Sequence, residues 1–179
     1  MPQELPGSKT EQNLLKAFAG ESEARNKYTI YAKIAKKEGY EQIAALFFET
    51  AENERVHAKL HFRYLGKEGT TLENLFDCAE GENYEAQEMY PEMAETAREE
   101  GFVEIAEYFE GLAKVEAAHE ERFKKLIESL DSGTVFEKSE VVTWKCRECG
   151  YLHEGTTPLD ICPVCSHPKA FAEVVVENF

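Results

Sequence analysis

The sequence contains a long internal repeat, and both copies carry the motif Glu-x-x-His. The stretch "ENERVH" ends at His57, and "KVEAAH" ends at His119. A shift of 62 residues places Glu54 on Glu116 and also aligns residues on either side of the motif. It pairs Tyr28 with Tyr90, Ala35 with Ala97, Gly39 with Gly101 and Phe47 with Phe109. A repeated pair of helices predicts a pseudo-symmetric four-helix bundle.

Apolar residues recur at helical spacing up to about residue 131 and predict four helices. Their predicted bounds are 9–39, 40–65, 70–101 and 102–130. Ser8 with Glu11 and Thr70 with Glu73 have the spacing of capping boxes at the start of the first and third helices. Pro91 predicts a kink or a local break within the third helix, because proline lacks an amide hydrogen.

Each predicted helix places a glutamate within its apolar stripe. Acidic residues are abundant, at 35 of 179, so one Glu-x-x-His pair alone is typical of a solvated helix face. Several unpaired carboxylates in a core are very costly, however, and a shared cation resolves that cost. Two glutamates plus two Glu-x-x-His pairs form the ferritin-like dinuclear pattern, and mixed carboxylate and imidazole donors favour iron or manganese. The predicted ligands are Glu21, Glu54, His57, Glu82, Glu85, Glu116 and His119.

The C-terminal segment carries two C-x-x-C pairs separated by twelve residues. Four thiolates at this spacing predict a closed tetrahedral site for zinc or iron. The site is formed by Cys146, Cys149, Cys162 and Cys165. Gly150 and Pro163 follow cysteines as they do in the two metal-binding turns of a rubredoxin, which favours iron, with a zinc ribbon as the alternative. The fifth cysteine, Cys78, is expected to be a small buried hydrophobic residue.

Composition changes near residue 131, which predicts two domains. The predicted bounds are 1–132 for the helical bundle, 133–140 for a linker and 141–179 for the four-cysteine domain. The net charge of −15 disfavours nucleic acid and an anionic membrane surface as partners. The N-terminus lacks a secretory signal, and no apolar run approaches the ~20 residues of a membrane span. A soluble cytoplasmic protein is therefore expected.

The chain resembles rubrerythrin along nearly its whole length. The resemblance lies in "AFAGESEARNKY", "AENERVHAK", "EMYPEMAETAREEG", "EAAHEERF" and the cysteine tail. It implies a mainly α fold, in which a ferritin-like diiron four-helix bundle is fused to a rubredoxin-like domain. It also implies that all seven predicted ligands bind the two irons, one of which lies nearer Glu85 when oxidised and nearer His57 when reduced. Tyr28 and Tyr90 match tyrosines near that site.

The resemblance implies a peroxidase that reduces hydrogen peroxide to water in oxidative-stress defence. Electrons would pass through the iron of the four-cysteine site, where zinc is the alternative metal. The donor would be a rubredoxin or an NAD(P)H-dependent reductase, since the chain has no Gly-rich dinucleotide motif of its own. One alternative is a ferroxidase or iron-storage protein of ferritin type. A second is a non-enzymatic metal-binding module with a zinc ribbon.

The connection "GKEGT" between the second and third helices is short for this family. Ferritin-like bundles run these two helices parallel, joined by a long crossover. The predicted helix ends are ~30 Å apart at 1.5 Å per residue, whereas five residues reach at most ~20 Å. The sequence therefore predicts a domain-swapped homodimer, or a higher homo-oligomer, whose diiron sites are built from two chains. An antiparallel pairing of these helices is the rival arrangement.

Overall fold

The computed structural model of the chain describes residues 4–178. These residues are mainly α-helical, with a small antiparallel sheet near the C-terminus, which confirms the predicted fold class. The chain divides into two compact units between Gly69 and Thr70. Among the described residues, no helix combines the length and apolar character that a membrane crossing requires.

The first unit is a hairpin of two long helices, α1 (Lys9–Lys37) and α2 (Glu41–Tyr64). The helices pack through small side chains: Ala32, Ala35, Ala44, Ala51 and Ala58 are all buried. At the start of α1 the Ser8 hydroxyl accepts a hydrogen bond from the Glu11 amide at 3.1 Å. The Glu11 carboxylate accepts from the amide of Gly7 rather than of Ser8, so only half of the predicted capping box forms.

The second unit contains α3 (Thr71–Tyr84), a π-helical turn (Glu85–Met89), α4 (Tyr90–Glu99) and α5 (Val103–Asp131). The predicted capping box at the start of α3 is complete. The Glu73 amide donates to the Thr70 hydroxyl at 3.3 Å, and the Thr70 amide donates to the Glu73 carboxylate at 2.7 Å. Because the π turn separates α3 from α4, the predicted third helix is interrupted just before Pro91.

The π turn accounts for a change of register in the internal repeat. Glu21 and Glu82 are 61 residues apart, whereas Tyr28 and Tyr90 are 62 apart. A π turn accommodates one extra residue within an otherwise α-helical segment. The turn lies between Glu82 and Tyr90, where the register changes. It ends at Met89, two residues before Pro91, whose ring would crowd the preceding turn of a regular helix.

The C-terminal segment of the second unit forms a sheet of β1 (Val142–Cys146), β2 (Leu152–Gly155) and β3 (Ala172–Val174). The strand order is β2-β1-β3, and both pairings are antiparallel. Trp144 in the central strand is buried, and its indole N–H donates to the carbonyl of Gly155 at 3.0 Å. The sheet therefore anchors Cys146 at the end of a well-packed strand.

In both helical segments, large apolar side chains remain half exposed. Within residues 4–178, the buried apolar residues of the helices are all alanines. In the first unit the exposed apolar residues include Ile30, Ile34, Ile43, Leu46 and Leu60; in the second they include Phe76, Met93, Phe102, Ile105 and Leu126. Apolar surface of this extent is typical of a region that another protein surface covers.

Candidate metal centres

The first unit brings three of the predicted ligands together. Glu21 comes from α1, and Glu54 and His57 come from α2 at a spacing that places them on one helix face. Their ligand atoms all lie within 4.8 Å of one another. Nδ1 of His57 is 2.8 Å from Oε2 of Glu54 and 3.9 Å from Oε1 of Glu21. We call this group the N-terminal trio.

The second unit repeats this arrangement with Glu82 from α3 and with Glu116 and His119 from α5. Nδ1 of His119 is 2.7 Å from Oε2 of Glu116 and 3.4 Å from Oε2 of Glu82. We call this group the C-terminal trio. The two trios thus reproduce the internal repeat of the sequence at the level of side-chain geometry.

The charges of the C-terminal trio call for a cation. Burial raises the pKa of the Glu82 carboxyl, the nearby His119 opposes that shift, and the neighbouring Glu116 adds to it. The Glu116 side chain is only 12% exposed, so the carboxyl groups of Glu82 and Glu116 lie together in a poorly solvated site. Carboxylate oxygens and imidazole nitrogen are donors that iron and manganese accept. The residues present therefore fit the ferritin-like diiron pattern, a glutamate from one helix and Glu-x-x-His from the next.

Tyr28 and Tyr90, which the internal repeat aligns, each pack on a phenylalanine. The ring centroids are 6.3 Å apart for Tyr28 and Phe47 and 6.0 Å apart for Tyr90 and Phe109. Burial raises the pKa of Tyr90, and the charges of Glu85 and Glu116 raise it further. The phenol therefore keeps its proton at neutral pH.

Glu85 lies outside both trios. It is the first residue of the π turn, three positions after Glu82. Its role as a seventh ligand stays a prediction.

The four cysteines of the C-terminal segment also form one cluster. The sulfur atoms of Cys146 and Cys165 are 3.6 Å apart, as are those of Cys149 and Cys162. These distances are far longer than the ~2.05 Å of a disulfide. They are close to the ~3.8 Å edge of a tetrahedron of thiolates around a metal at ~2.3 Å. The cluster therefore has the size of a mononuclear metal site.

Backbone amides prepare this cluster for a metal. The N–H of Cys165, opposed by burial and assisted by the N–H of Val164, lowers the pKa of Cys162 to about 6. At Cys165 the N–H of His167 acts in the same direction, but burial and the three neighbouring sulfurs raise the pKa to about 12. A metal cation would compensate the negative charge of four thiolates held this close together.

Replacing Cys162 with serine is expected to remove the tetrahedral metal, because a hydroxyl is a poor substitute for a thiolate. The metal content should fall by one equivalent per chain, and the β1–β3 segment should unfold at a lower temperature. Cys78→Ser is the matched control. Cys78 is exposed rather than buried as predicted, so its replacement should change neither quantity. Metal analysis and thermal melting would contradict the assignment if both variants behaved alike.

One buried charged residue was not predicted. Glu120 is 8% exposed, and its carboxylate accepts a hydrogen bond from the Asn83 amide group. A hydrogen bond from Lys124, opposed by burial and assisted by the charge of Lys124 and by Asn83, lowers the pKa of Glu120. The repeat contained a signal, because a shift of 62 aligns Glu120 with Ala58, which is buried between α1 and α2.

Family models and related sequences agree on one family. The family model described as Rubrerythrin matches residues 12–127, and the model described as "Rubrerythrin, rubredoxin-like domain" matches residues 144–171. The chain is 47% identical to Rubrerythrin-1 of Clostridium acetobutylicum, over 98% of each chain. It is 48% identical to Rubrerythrin of Porphyromonas gingivalis, over 100% of this chain and 96% of that one. A solved structure, "Partially Reduced State of Nigerythrin", matches at 31% identity with a TM-score of 0.37, over 97% of this chain and 90% of that one.

Proposed function

Because the chain belongs to the rubrerythrin family, whose members carry a diiron site and a rubredoxin-like domain, we propose that it is a peroxidase. Its substrate would be hydrogen peroxide, which takes up two electrons and two protons to give two molecules of water. The observation that carries the proposal is the presence, in one chain, of two carboxylate–imidazole trios and a four-thiol cluster. The first suits a two-electron reaction, and the second suits the one-electron transfers that restore it.

The proposed ligands of the two irons are the two trios together with Glu85. When bound, a ferrous pair supplies both electrons and a Lewis-acidic place for the oxygens of the substrate. His57 and Glu85 are the proposed alternatives for the iron that changes partner with redox state. The protein contributes a rigid donor set, because each Glu-x-x-His pair is fixed on one helix face.

The protein also holds the protons that the reaction needs near the C-terminal trio. Tyr90 keeps its phenolic proton, since burial and the nearby carboxylates raise its pKa. Its O–H is therefore a hydrogen-bond donor to an oxygen in the site. In the reduced state of the proposed scheme the iron lies nearer His57, so the Glu85 carboxyl group is free to carry a proton to the departing oxygen.

We place the electron inlet at the four-cysteine cluster. Cys146 and Cys162 are buried, whereas Cys149 is exposed and Cys165 is half exposed. A donor protein, either a rubredoxin or an NAD(P)H-dependent reductase, can therefore approach the cluster on the side of Cys149. Five cysteines without a disulfide suit the reducing cytoplasm, where we propose that the protein works.

Rapid mixing of the fully reduced protein with hydrogen peroxide or with oxygen tests the proposal. We expect reoxidation by peroxide to be faster by at least about tenfold, a barrier difference of about 1.4 kcal/mol. Cys162→Ser should leave this single reoxidation unchanged and slow the turnover that a donor protein sustains. Preference for oxygen with formation of ferric mineral would show a ferroxidase instead. Zinc in the four-cysteine site of the purified protein would rule out the relay.

We further propose that the protein is a homodimer in which the N-terminal trio of one chain completes the C-terminal trio of the other. In a parallel arrangement of α2 and α3, the axial distance from His57 to Tyr64 is ~10 Å, and that from Thr71 to Glu82 is ~16 Å. The connection would have to cross ~27 Å, but seven Cα steps span at most ~25 Å when fully extended.

The connection is not fully extended, so its reach is shorter than this maximum. Gly66 has a φ of 69°, a left-handed conformation that closes the end of α2. The amide of Lys67 donates back to the carbonyl of Phe62 at 3.4 Å, so the chain turns back on itself before it leaves the helix. The half-exposed apolar side chains of both units are the surfaces that such an exchange would bury.

A further inference from the structure

We propose that three residues, Asn83, Glu120 and Lys124, form a positioning lock that fixes α3 against α5. The lock sets the axial position of Glu82 relative to Glu116 and His119. The inference rests on the proposed metal site and adds residues that do not bind the metal. Nδ2 of Asn83 donates to Oε1 of Glu120 at 3.0 Å. Nζ of Lys124 is 2.5 Å from the same oxygen.

The burial of Glu120 makes its hydrogen-bond partners necessary. Glu120 is 8% exposed, and a carboxylate with so little water needs partners within the protein. Lys124 lies one turn further on the same helix, so it balances the charge of Glu120 but does not link the two helices. Asn83 comes from α3, and its hydrogen bond is therefore the part of the lock that joins the two helices.

The lock lies next to the proposed ligands on both helices. Asn83 directly follows Glu82, and Glu120 directly follows His119, one turn after Glu116. A slip of α3 by one residue would move Asn83 by ~1.5 Å along the axis, enough to break a 3.0 Å hydrogen bond. Metal ligands need placement within ~0.5 Å, so the same slip would disturb the C-terminal trio.

The N-terminal hairpin has an aromatic contact where the second unit has the lock. A shift of 61 aligns Phe18 with Ala79, and a shift of 62 aligns Phe62 with Lys124; the Phe18 and Phe62 rings lie 5.3 Å apart. The N-terminal hairpin has Ala58 at the position that corresponds to Glu120. An aromatic contact tolerates small sliding, whereas a hydrogen bond between two side chains does not.

The second unit needs a hydrogen bond here, rather than an aromatic contact, because one of its helices is interrupted. In the first unit the trio lies within two uninterrupted helices of 29 and 24 residues. In the second unit α3 has only 14 residues and passes into the π turn directly after Tyr84. The end of α3 that carries Glu82 is therefore next to an irregular turn, and Asn83 ties it to the continuous helix α5.

Metal titration of the full-length protein tests the lock without relying on peroxide turnover. The four-cysteine site is first filled with one equivalent of zinc, and cobalt(II) is then titrated while its visible absorption is recorded. We expect Asn83→Ala and Glu120→Ala to weaken cobalt binding at the helical site by about tenfold. Glu120→Gln should restore most of the affinity, because its amide oxygen still accepts from Asn83. Glu121→Ala is the control, since Glu121 is exposed and forms an ion pair with the exposed Lys125 on the same helix.

A repeat-exchange variant separates positioning from packing. Ala79→Phe, Glu120→Ala and Lys124→Phe together transplant the aromatic pair of the N-terminal hairpin. We expect this variant to regain the thermal stability of the metal-free protein but to keep the weakened cobalt affinity. Recovery of both properties would reduce the lock to ordinary packing and overturn the proposal, as would wild-type affinity in Asn83→Ala. Peroxide reduction in the single variants reports separately on the proposed function.

Discussion

Replacing Glu116 with alanine is expected to lower kcat/KM for peroxide reduction by at least about a hundredfold. Glu116 is among the least exposed charged residues of the described chain, and it contacts both other members of the C-terminal trio. Loss of a group that merely supports a metal ligand already costs about 10–100-fold, so loss of a ligand should cost at least the upper part of that range. The diiron content should fall together with the rate.

The matched control is Glu107→Ala, which removes an exposed glutamate from the same helix. It should keep full activity and two irons per chain at the helical site. Glu116→Gln preserves the shape but removes the charge, and we expect it to bind iron poorly as well, because the site needs carboxylates to balance the cation. Activity is measured with saturating electron donor, and iron is measured on the same samples. A Glu116→Ala protein with wild-type iron content and rate would remove Glu116 from the site.

The Glu-x-x-His pairs could be read from the sequence because helix geometry alone determines the contact. Residues three apart lie on one helix face, so Glu54 and Glu116 had to lie near the histidines that follow them. The structure shows Glu–His distances of 2.8 and 2.7 Å within the two pairs. The glutamate of each pair was also predicted to lie within an apolar stripe; Glu116 is buried, whereas Glu54 is half-buried and His57 is exposed. The four-cysteine cluster was predictable for a similar reason, since C-x-x-C spacing fixes each pair locally.

The π turn could not be predicted with the same directness. Pro91 indicated an interruption, but residue preferences do not distinguish a kink from a wider turn. The change of register from 61 to 62 residues between Glu82 and Tyr90 was present in the sequence. It acquires a structural meaning only when the π turn is seen at that place. The irregular turn therefore depends on tertiary context as well as on local sequence.

Glu120 and Cys78 show the limit of the helical pattern. In a chain with 35 acidic residues, one more glutamate after a histidine carries no signal by itself. Its burial depends on the partner that α3 supplies, which is a property of packing. Cys78 was predicted to be buried from its place near an apolar stripe, yet it is exposed on α3. The next residue, Ala79, is the one that is buried.

Two inactive variants are expected to restore each other if the diiron site is shared between chains. One variant carries Glu54→Ala with His57→Ala and so lacks a working N-terminal trio. The other carries Glu116→Ala with His119→Ala and lacks a working C-terminal trio. Each alone should be inactive, because every site then has one defective half. In a swapped dimer of the two variants, one site combines both intact trios and the other combines both defective ones.

Random pairing gives half mixed dimers with one working site in two, so co-refolding of equal amounts should recover about a quarter of the wild-type activity. The same proteins mixed when already folded are the control, because dimers that do not exchange chains should stay inactive. Circular dichroism would check that both variants are helical, and iron content should recover in proportion to activity. If co-refolded chains stayed inactive although folded, each site would take its ligands from one chain. The short connection at Gly66 would then have to span a distance that its residues do not reach, and the antiparallel arrangement of α2 and α3 would become the better explanation.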